Sequence, residues 1–341
     1  MRAAVYYSND DVRLEETPTP VIGRGELLLK VLACGICGSD VMEWYRIKKA
    51  PRVLGHEAVG EIAQVGDDVE IFEPGDRVFV SHHVPCNKCR YCLRGEQTAC
   101  ETLHGTNIDP GGFSEYARVP RINVDRGVFP LPDTLTYDDG VLIEPLACVL
   151  RGQRKLGVGP GDTILVLGSG VSGILHVQLA RTLGATRVLA TDVSEYRIKA
   201  AERFGANSVI HAKEDVPRFV KDHNDGRLAD RVIVSTAALP AIRQSLQCVD
   251  DGGRILFFAP TQPGVEVPID LNDLWSRQLT LTTTYAAPPA DISAAIELIR
   301  SGGVQAGEMV THRLALEETG LGFKIVAEAG ESLKVVVEPH R

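Results

Sequence analysis

The chain has 341 residues and a formal net charge of −9, with 44% hydrophobic and 24% charged residues. This composition is typical of a globular protein, and the length exceeds what one small core organises, so we expect two domains. An acidic chain without a basic block is not expected to bind nucleic acid or an anionic membrane.

The N-terminal segment and the cysteines indicate the compartment in which the protein works. Residues 1–16 include acidic side chains and no long apolar run, so we expect no signal peptide. No stretch has the ~18 continuous apolar residues that a membrane helix needs. Four of the eight cysteines lie in one loop, which favours metal binding in a reducing compartment over a disulfide framework. We therefore expect a cytoplasmic protein.

Short β-like runs dominate the first 150 residues. Four of them lie at 27–34, 58–66, 77–84 and 113–120, separated by turns that contain Gly and Pro. This pattern predicts an antiparallel, barrel-like β domain.

The loop after the third run contains four cysteines at C-x2-C-x2-C-x7-C spacing. They are Cys86, Cys89, Cys92 and Cys100. Two residues between thiolates let each pair direct its sulfurs to one point, and four sulfurs complete a tetrahedral shell around Zn²⁺. Such a shell leaves no position for substrate, so we predict a structural zinc in a lobe spanning 84–104. Four thiolates also hold iron–sulfur clusters, which stays an alternative.

Strand and helix patterns alternate from about residue 156 to residue 286. Short apolar runs separated by amphipathic helices predict a parallel sheet that is covered on both faces. The tail at 332–339 is again β-like, and we expect it to return to the first domain. We therefore predict one domain from 1–152 and 287–341, and a second domain, inserted into it, from 153–286.

A glycine-rich turn joins the first predicted strand of this sheet to its helix. The turn has the spacing G-x-G-x-x-G, formed by Gly168, Gly170 and Gly173 with Val171 and Ser172 between the last two. Glycines permit the tight turn and the close approach of a pyrophosphate, and the helix N-terminus offers N–H groups and positive potential to the phosphates. We predict a dinucleotide site here.

Two side chains bear on the choice of dinucleotide. Asp192 ends the next strand, about 20 residues after the glycines, where a carboxylate accepts hydrogen bonds from the ribose hydroxyls and repels a 2′-phosphate. This predicts NAD. Arg197, one helical turn later, favours NADP instead, because a basic residue there is suited to a 2′-phosphate.

Three further segments contain types of residue that bind metals: GICGSD (35–40), GHEAVG (55–60) and IEPLAC (143–148). Cys37 and His56 are zinc ligands, and Glu57 and Glu144 offer carboxylates. Taken singly each is a weak signal, since a lone His is usually a core or surface residue and Glu144 is suited to the start of a helix.

The order of these motifs resembles the zinc-dependent medium-chain dehydrogenases, the family of alcohol, sorbitol and threonine dehydrogenases. The resemblance covers nearly the whole chain. It implies an enzyme with a GroES-like β-barrel catalytic domain and an inserted Rossmann domain, a doubly wound parallel sheet. It also implies NAD and two zinc ions per subunit, one catalytic and one structural, a small-molecule alcohol as substrate, and a homodimer or homotetramer.

The resemblance also assigns roles around the catalytic zinc. Cys37, His56 and Glu144 would bind it, and Glu57 would either join them or wait beside the metal while water or substrate occupies the open position. Zinc would stabilise the alkoxide while hydride passes to nicotinamide. Ser39 matches the hydroxyl that takes the substrate proton.

Two departures limit the resemblance. Met42 stands where alcohol, sorbitol and threonine dehydrogenases have a relay histidine, and methionine cannot relay a proton. Thr284 stands where sorbitol dehydrogenases have an arginine before a tyrosine. In place of the histidine that is missing at position 42, water or another side chain would complete the proton relay. The candidate side chains are Glu43, His82, His83 and His104.

The expected activity is oxidation of a secondary alcohol in a polyol or sugar-derived alcohol. Threonine 3-dehydrogenase-like activity is the alternative within the family. A dinucleotide-binding sensor or structural protein, and a zinc-free reductase, are the alternatives outside this activity.

Overall fold

The computed structural model describes residues 1–341, which form two compact units. Unit one comprises Met1–Ala147, Ala286–Gly302 and Ala306–Arg341, and unit two comprises Cys148–Tyr285 and Gly303–Gln305. The sequence predicted the changes between domains at residues 152 and 286, whereas the compact units change at residues 147 and 285.

The N-terminal part of unit one contains eight strands and five short helices. The strands are β1 (Arg2–Ser8), β2 (Asp11–Glu16), β3 (Leu27–Gly35), β4 (Arg52–Val53), β5 (Glu57–Val65), β6 (Arg77–Ser81), β7 (Tyr116–Val119) and β8 (Val128–Pro130). The helices are α1 (Glu43–Arg46), α2 (Arg90–Leu93), α3 (Glu101–Gly105), α4 (Arg121–Gly127) and α5 (Tyr137–Gly140), with 3₁₀ turns at Ile47–Lys49 and Gln97–Ala99. The predicted run at 77–84 ends as a strand at Ser81, so the two histidines that follow lie in a loop.

Unit two alternates strands and helices as the sequence predicted. Its elements are α6 (Ile143–Leu156), which begins in unit one, then β9 (Thr163–Leu167), α7 (Val171–Thr182), β10 (Arg187–Asp192), α8 (Glu195–Arg203), β11 (Ser208–His211), α9 (Val216–His223), β12 (Ala229–Val234), α10 (Leu239–Cys248), β13 (Val249–Phe257), α11 (Leu271–Ser276) and β14 (Thr280–Thr283). The strand order is β11-β10-β9-β12-β13-β14, and every neighbouring pair is parallel. This is the doubly wound order of the Rossmann fold, which confirms the predicted fold of this domain.

The C-terminal residues return to unit one. They form α12 (Pro289–Arg300), β15 (Val310–Ala315), α13 (Thr319–Glu328) and β16 (Lys334–Glu338), with 3₁₀ turns at Gly307–Met309 and Leu316–Glu318. The main sheet has the order β15-β16-β3-β5-β6-β8, with β7 also on β3, and a small sheet has the order β2-β1-β4. All pairs are antiparallel except β15 with β16, where α13 supplies the crossover that a parallel pair requires.

The core of unit one packs apolar side chains of the main sheet against α13. Val31, Val78 and Val335 are fully buried, and Phe323 of α13 lies with its ring centroid 5.8 Å from that of Tyr6. None of the helices combines the length and the apolar character needed to cross a membrane.

Candidate active site

Strand pairing in unit one brings together three metal-binding side chains from two motifs. Gly35, the last residue of β3, pairs with Glu57, the first residue of β5. Cys37 follows β3 and His56 precedes β5, so both lie at the same end of this strand pair. One ligand atom from each of Cys37, His56 and Glu57 lies within 4.8 Å of the others. A side chain at Gly35 would overlap the Glu57 carboxylate, which explains the glycine.

The Glu57 carboxylate has a buried cationic partner that the sequence did not indicate. Lys334, the first residue of β16, donates from Nζ to Glu57 Oε2 and to the carbonyl oxygen of Ile36, the latter at 3.2 Å. Burial lowers the pKa of Lys334, but the negative charge of Glu57 more than offsets it and the net pKa is raised. The ammonium group therefore stays protonated.

The second oxygen of Glu57 provides a test of whether a metal fits this cluster. Oε1 is buried and has no hydrogen-bond partner within the chain. A buried acceptor without a donor is costly unless a cation or water satisfies it. A thiolate, an imidazole and a carboxylate together match the ligands that zinc prefers. The donor set therefore fits a zinc ion.

Asp40 contacts both His56 and Cys37 and orients these two candidate ligands. It is fully buried, with Oδ1 3.4 Å from His56 Nδ1, and its Oδ2 accepts a hydrogen bond from the Cys37 backbone N–H at 3.1 Å. Burial raises the pKa of the Asp40 carboxyl, but the charges of His56 and Arg46 lower it further than burial raises it. A carboxylate on Nδ1 leaves Nε2 of His56 for the metal. The sequence contained this residue in GICGSD, three positions after Cys37, but its role was missed.

Ser39 is fixed by a cation. Arg46 donates from Nη2 to Ser39 Oγ at 2.8 Å and from Nε to the Ser39 carbonyl oxygen at 2.9 Å, and it also donates to Asp40 Oδ1 at 3.1 Å. The Ser39 backbone N–H points to Cys37 Sγ at 3.4 Å. Because Arg46 donates to Ser39 Oγ, the hydroxyl proton of Ser39 is directed elsewhere.

Two of the histidines considered as relay groups stack beside His56. The His82 ring lies 4.8 Å from that of His56 and 3.8 Å from that of His83, between centroids. Burial lowers the pKa of His82 well below its usual value, and burial with the charge of His56 lowers that of His83 to about 3. Both imidazoles are therefore neutral near pH 7. His104 is exposed.

Glu144 lies outside the compact group formed by Cys37, His56 and Glu57. It is a buried residue in the first turn of α6. Burial is the main influence on the pKa values of Glu57 and Lys334, and the charge of Glu144 raises both. The family resemblance implied Cys37, His56 and Glu144 as ligands, with Glu57 either joining them or waiting beside the metal, and the structure gathers Glu57 with Cys37 and His56.

The four clustered cysteines form a second centre. Their sulfur atoms lie within 4.8 Å of one another, and no disulfide joins them. Cys92 Sγ is 4.0 Å from Cys86 Sγ and 3.5 Å from Cys89 Sγ. Tetrahedral bonds of about 2.3 Å to zinc space the sulfurs by about 3.8 Å. Backbone N–H groups also donate to Cys86 Sγ and Cys100 Sγ, which stabilises thiolate charge. The four residues fit a structural zinc.

In unit two the glycine-rich turn follows β9 and begins α7. Gly168 has φ +94°, a conformation that side chains rarely adopt. A Cβ on Gly173 would overlap the carbonyl oxygen of Gly168, so this glycine lets the helix approach the strand. Val171 and Ser172 occupy the first positions of α7. The turn has room for a pyrophosphate, because Arg197 is the one residue beyond the turn with atoms within 4 Å of the position that a Cβ of Gly170 would occupy.

Asp192 and Arg197 both flank this turn. Asp192 is buried at the end of β10, and its carboxylate accepts hydrogen bonds from the backbone N–H groups of Ser169 at 2.7 Å and Ser194 at 2.9 Å. The Arg197 guanidinium lies 3.9 Å from where a Cβ of Gly170 would be, and its Nε is buried without a partner. Elsewhere in unit two the Thr284 hydroxyl is also buried without a partner.

Comparison with known families matches both parts of the chain. The alcohol dehydrogenase GroES-like domain matches residues 23–133, and the zinc-binding dehydrogenase domain matches residues 172–301. These matches confirm the GroES-like and Rossmann assignments.

Relatives cover nearly the whole chain. Sorbitol dehydrogenase from Bacillus subtilis (strain 168) is 33% identical, over 100% of this chain and 98% of that protein. L-threonine 3-dehydrogenase from Anaeromyxobacter dehalogenans (strain 2CP-C) is 31% identical, over 95% of this chain and 94% of that protein. The crystal structure of a zinc-binding dehydrogenase from Sinorhizobium meliloti 1021, bound to NADP, superposes with a TM-score of 0.89 and 29% identity, over 99% of each chain. The chain therefore belongs to the zinc-dependent medium-chain dehydrogenase family and is an NAD(P)-dependent oxidoreductase.

Proposed function

We propose that the protein oxidises a secondary alcohol of a polyol or sugar-derived alcohol to a ketone, with NAD⁺ as the hydride acceptor. The observation that carries this proposal is the cluster of Cys37, His56 and Glu57, in which one buried carboxylate oxygen has no partner. Unit one supplies the metal ligands, and unit two supplies the dinucleotide turn.

The catalytic zinc is proposed to bind Cys37 and His56 with a carboxylate. Glu57 is the carboxylate that the structure holds beside them, and Glu144 is the one that the family resemblance favours. When bound, Zn²⁺ supplies Lewis acidity toward the alcohol oxygen and NAD⁺ supplies the hydride acceptor. The cysteines of the other centre would hold a second zinc, which would maintain the shape of the lobe.

In this reaction the residues of the chain position ligands and hold protons. Asp40 holds the His56 ring, and Arg46 holds both Asp40 and the Ser39 hydroxyl. We propose that Ser39 Oγ receives the substrate proton. Since a guanidinium does not accept a proton at neutral pH, Arg46 cannot replace the relay histidine that is absent at Met42, and the proton leaves through water.

The cofactor is proposed to be NAD rather than NADP. Asp192 places a negative charge at the end of β10, where a 2′-phosphate would be repelled. Arg197, next to Gly170, is the residue that would favour NADP.

A homodimer or homotetramer in a reducing compartment such as the cytoplasm completes the proposal. Free cysteines in two metal-binding groups need reducing conditions. The polyol substrate is supported by the similarity to sorbitol dehydrogenase, and the alternative, L-threonine, by the similarity to threonine 3-dehydrogenase.

The test is turnover by the purified zinc-loaded protein with polyols and L-threonine, each with NAD⁺ and NADP⁺. We expect reduction of NAD⁺ with at least one polyol and two zinc ions per chain. Cys37→Ser is expected to abolish turnover and to keep the structural zinc, whereas Cys34→Ser, at a buried cysteine outside both metal groups, keeps both ions. Activity on L-threonine alone contradicts the polyol proposal, and a preference for NADP⁺ contradicts the cofactor proposal.

A further inference from the structure

A polar cavity of about 380 Å³ lies in unit one, and none of its lining residues belongs to either metal-binding cluster. Its walls come from β4, the segment after α3, β7 and the start of α4. The lining residues that matter here are Arg52, Thr106, Asn107, Asp109, Arg118 and Asn123. The volume lies within the range of sites that bind small molecules.

Arg52 brings an unbalanced positive charge to this cavity. Its side chain is half-buried, and its guanidinium forms no hydrogen bond or ion pair within the chain. Burial lowers the pKa of Arg52, and repulsion from Arg46 lowers it further. Asp40 is the one carboxylate whose charge raises the pKa of Arg52, and this carboxylate already contacts Arg46 and His56. A half-buried guanidinium in this situation favours an anionic partner.

The other arginine of the cavity is already neutralised. Arg118 contacts Glu26 at 2.8 Å and Asp109 at 3.0 Å. Its charge is therefore offset within the chain, and Arg52 is the cation left for a ligand.

Of the two asparagines in the cavity wall, Asn123 is closed to a ligand. It is fully buried, and its Nδ2 donates to the carbonyl oxygens of Ser81 and His82, both at 2.9 Å. These two bonds fix the amide orientation, and Oδ1 is left buried without a partner. Because Asn123 has no exposed surface, a ligand hydroxyl cannot reach this oxygen, and the half-buried Asn107 in the cavity wall is the amide that a ligand hydroxyl can meet.

We propose that this cavity binds a small oxyanion that also carries hydroxyl groups, a sugar acid or a sugar phosphate. Arg52 binds the oxyanion through its forked N–H groups, which match carboxylate and phosphate oxygens. Asn107 Oδ1 accepts a hydrogen bond from a ligand hydroxyl. The site does not depend on the proposed oxidation, because none of its residues is a proposed metal ligand or contacts the dinucleotide turn.

The test is titration calorimetry of the full zinc-loaded chain with four probes. D-gluconate and D-sorbitol share a six-carbon polyol chain and differ in one terminal carboxylate, while glycerol 3-phosphate and inorganic phosphate differ in the hydroxyl-bearing carbons. We expect D-gluconate or glycerol 3-phosphate to bind about tenfold or more tightly than inorganic phosphate. In Cys37→Ser, where the proposed catalytic zinc site is disabled, we also expect one of them to bind about tenfold or more tightly than D-sorbitol, a polyol of the class that the native protein is proposed to oxidise. Binding of D-gluconate alone assigns a carboxylate ligand, and binding of glycerol 3-phosphate alone assigns a phosphate ligand.

Variants locate the binding. Arg52→Met is expected to weaken it by about tenfold or more, and Lys48→Met, a change at an exposed cation outside the cavity, is expected to leave it unchanged. Asn107→Asp keeps the side-chain size and adds a negative charge to the cavity, so it should weaken binding even if Arg52→Met fails to fold. Cys37→Ser should retain binding.

Three results would overturn the proposal. They are equal affinity of Cys37→Ser for D-gluconate, glycerol 3-phosphate and D-sorbitol, unchanged affinity in Asn107→Asp, and loss of binding in Cys37→Ser, which would place the anion on the catalytic metal.

Discussion

The two oxygens of Glu57 have different surroundings, and the difference depends on one distant residue. Oε2 accepts a hydrogen bond from Lys334, and Oε1 is buried without a partner beside Cys37 and His56. Lys334 and Glu57 are both 1% exposed, so neither charge is screened by water. Each therefore depends on the other, because an isolated buried charge is strongly unfavourable.

We predict that Lys334→Met lowers the free energy of unfolding by about 3–5 kcal/mol, because it leaves the Glu57 carboxylate buried without its cation. Urea unfolding followed by circular dichroism measures this change. The double variant Lys334→Met with Glu57→Leu should regain most of the loss, since two apolar side chains can replace a buried ion pair at little cost. A double variant less stable than Lys334→Met would contradict this account.

At this scale the sequence predicted the residues that belong to short motifs. Cys37, His56 and Glu57 stand in GICGSD and GHEAVG, which are weak signals singly and indicate a metal through the order of motifs that resembles the family. Lys334 could not be predicted, because it reaches Glu57 only through the pairing of β16 with β3. The contact of Arg46 with Ser39 could not be predicted either, because it depends on the backbone path through α1.

Strands and helices were predicted well where their apolar pattern is strong. β3 and β5 match the predicted runs to within a residue or two, and the helix after the glycine-rich turn is α7. The strand predicted to reach residue 84 ends at Ser81, where His82 and His83 leave the sheet and stack beside His56. Periodicity does not show where tertiary contacts draw a chain out of a strand.

Helix α7 contains a buried histidine that makes this element sensitive to acid. His176 is fully buried, with Nδ1 3.2 Å from Gln153 Nε2 and its ring edge-on to Phe258. Its Nε2 has no partner. Burial lowers the pKa of His176 from 6.5 to about 3. Between these two values the unfolded chain binds a proton that the folded chain does not bind, so stability falls as the pH decreases.

We predict that His176→Leu makes the protein less sensitive to acid. Below about pH 6.5 the native histidine costs about 1.4 kcal/mol of unfolding free energy per pH unit, and leucine removes that dependence. Urea unfolding midpoints measured from about pH 6.5 down to about pH 4 give the slope. His223→Leu, at an exposed position of the same unit, serves as the control and should keep the native slope. Equal slopes for His176→Leu and the native protein would refute the prediction.

At the scale of the whole molecule, α11 and β14 of unit two form a candidate interface between copies of the chain. Strand β14 is an edge of the parallel sheet in unit two, so part of its backbone hydrogen-bonding capacity is unpaired within the chain. The preceding helix α11 exposes Trp275 and Leu271, four residues apart and 79% and 75% exposed. Exposed apolar side chains next to an open sheet edge are typical of an interface between copies.

We predict that the native protein is an oligomer assembled through this surface and that Trp275→Glu is monomeric, because a carboxylate buried at an apolar interface has no partner. Light scattering coupled to size-exclusion chromatography should give a multiple of 36.9 kDa for the native protein and 36.9 kDa for the variant. Val21→Glu introduces the same charge at an exposed apolar position of unit one and should leave the native mass unchanged. A native protein of 36.9 kDa, or a Trp275→Glu variant with the native mass, would show that α11 and β14 are not an interface. Loss of the oligomer in both variants would instead mean that added charge, rather than the α11 surface, causes dissociation.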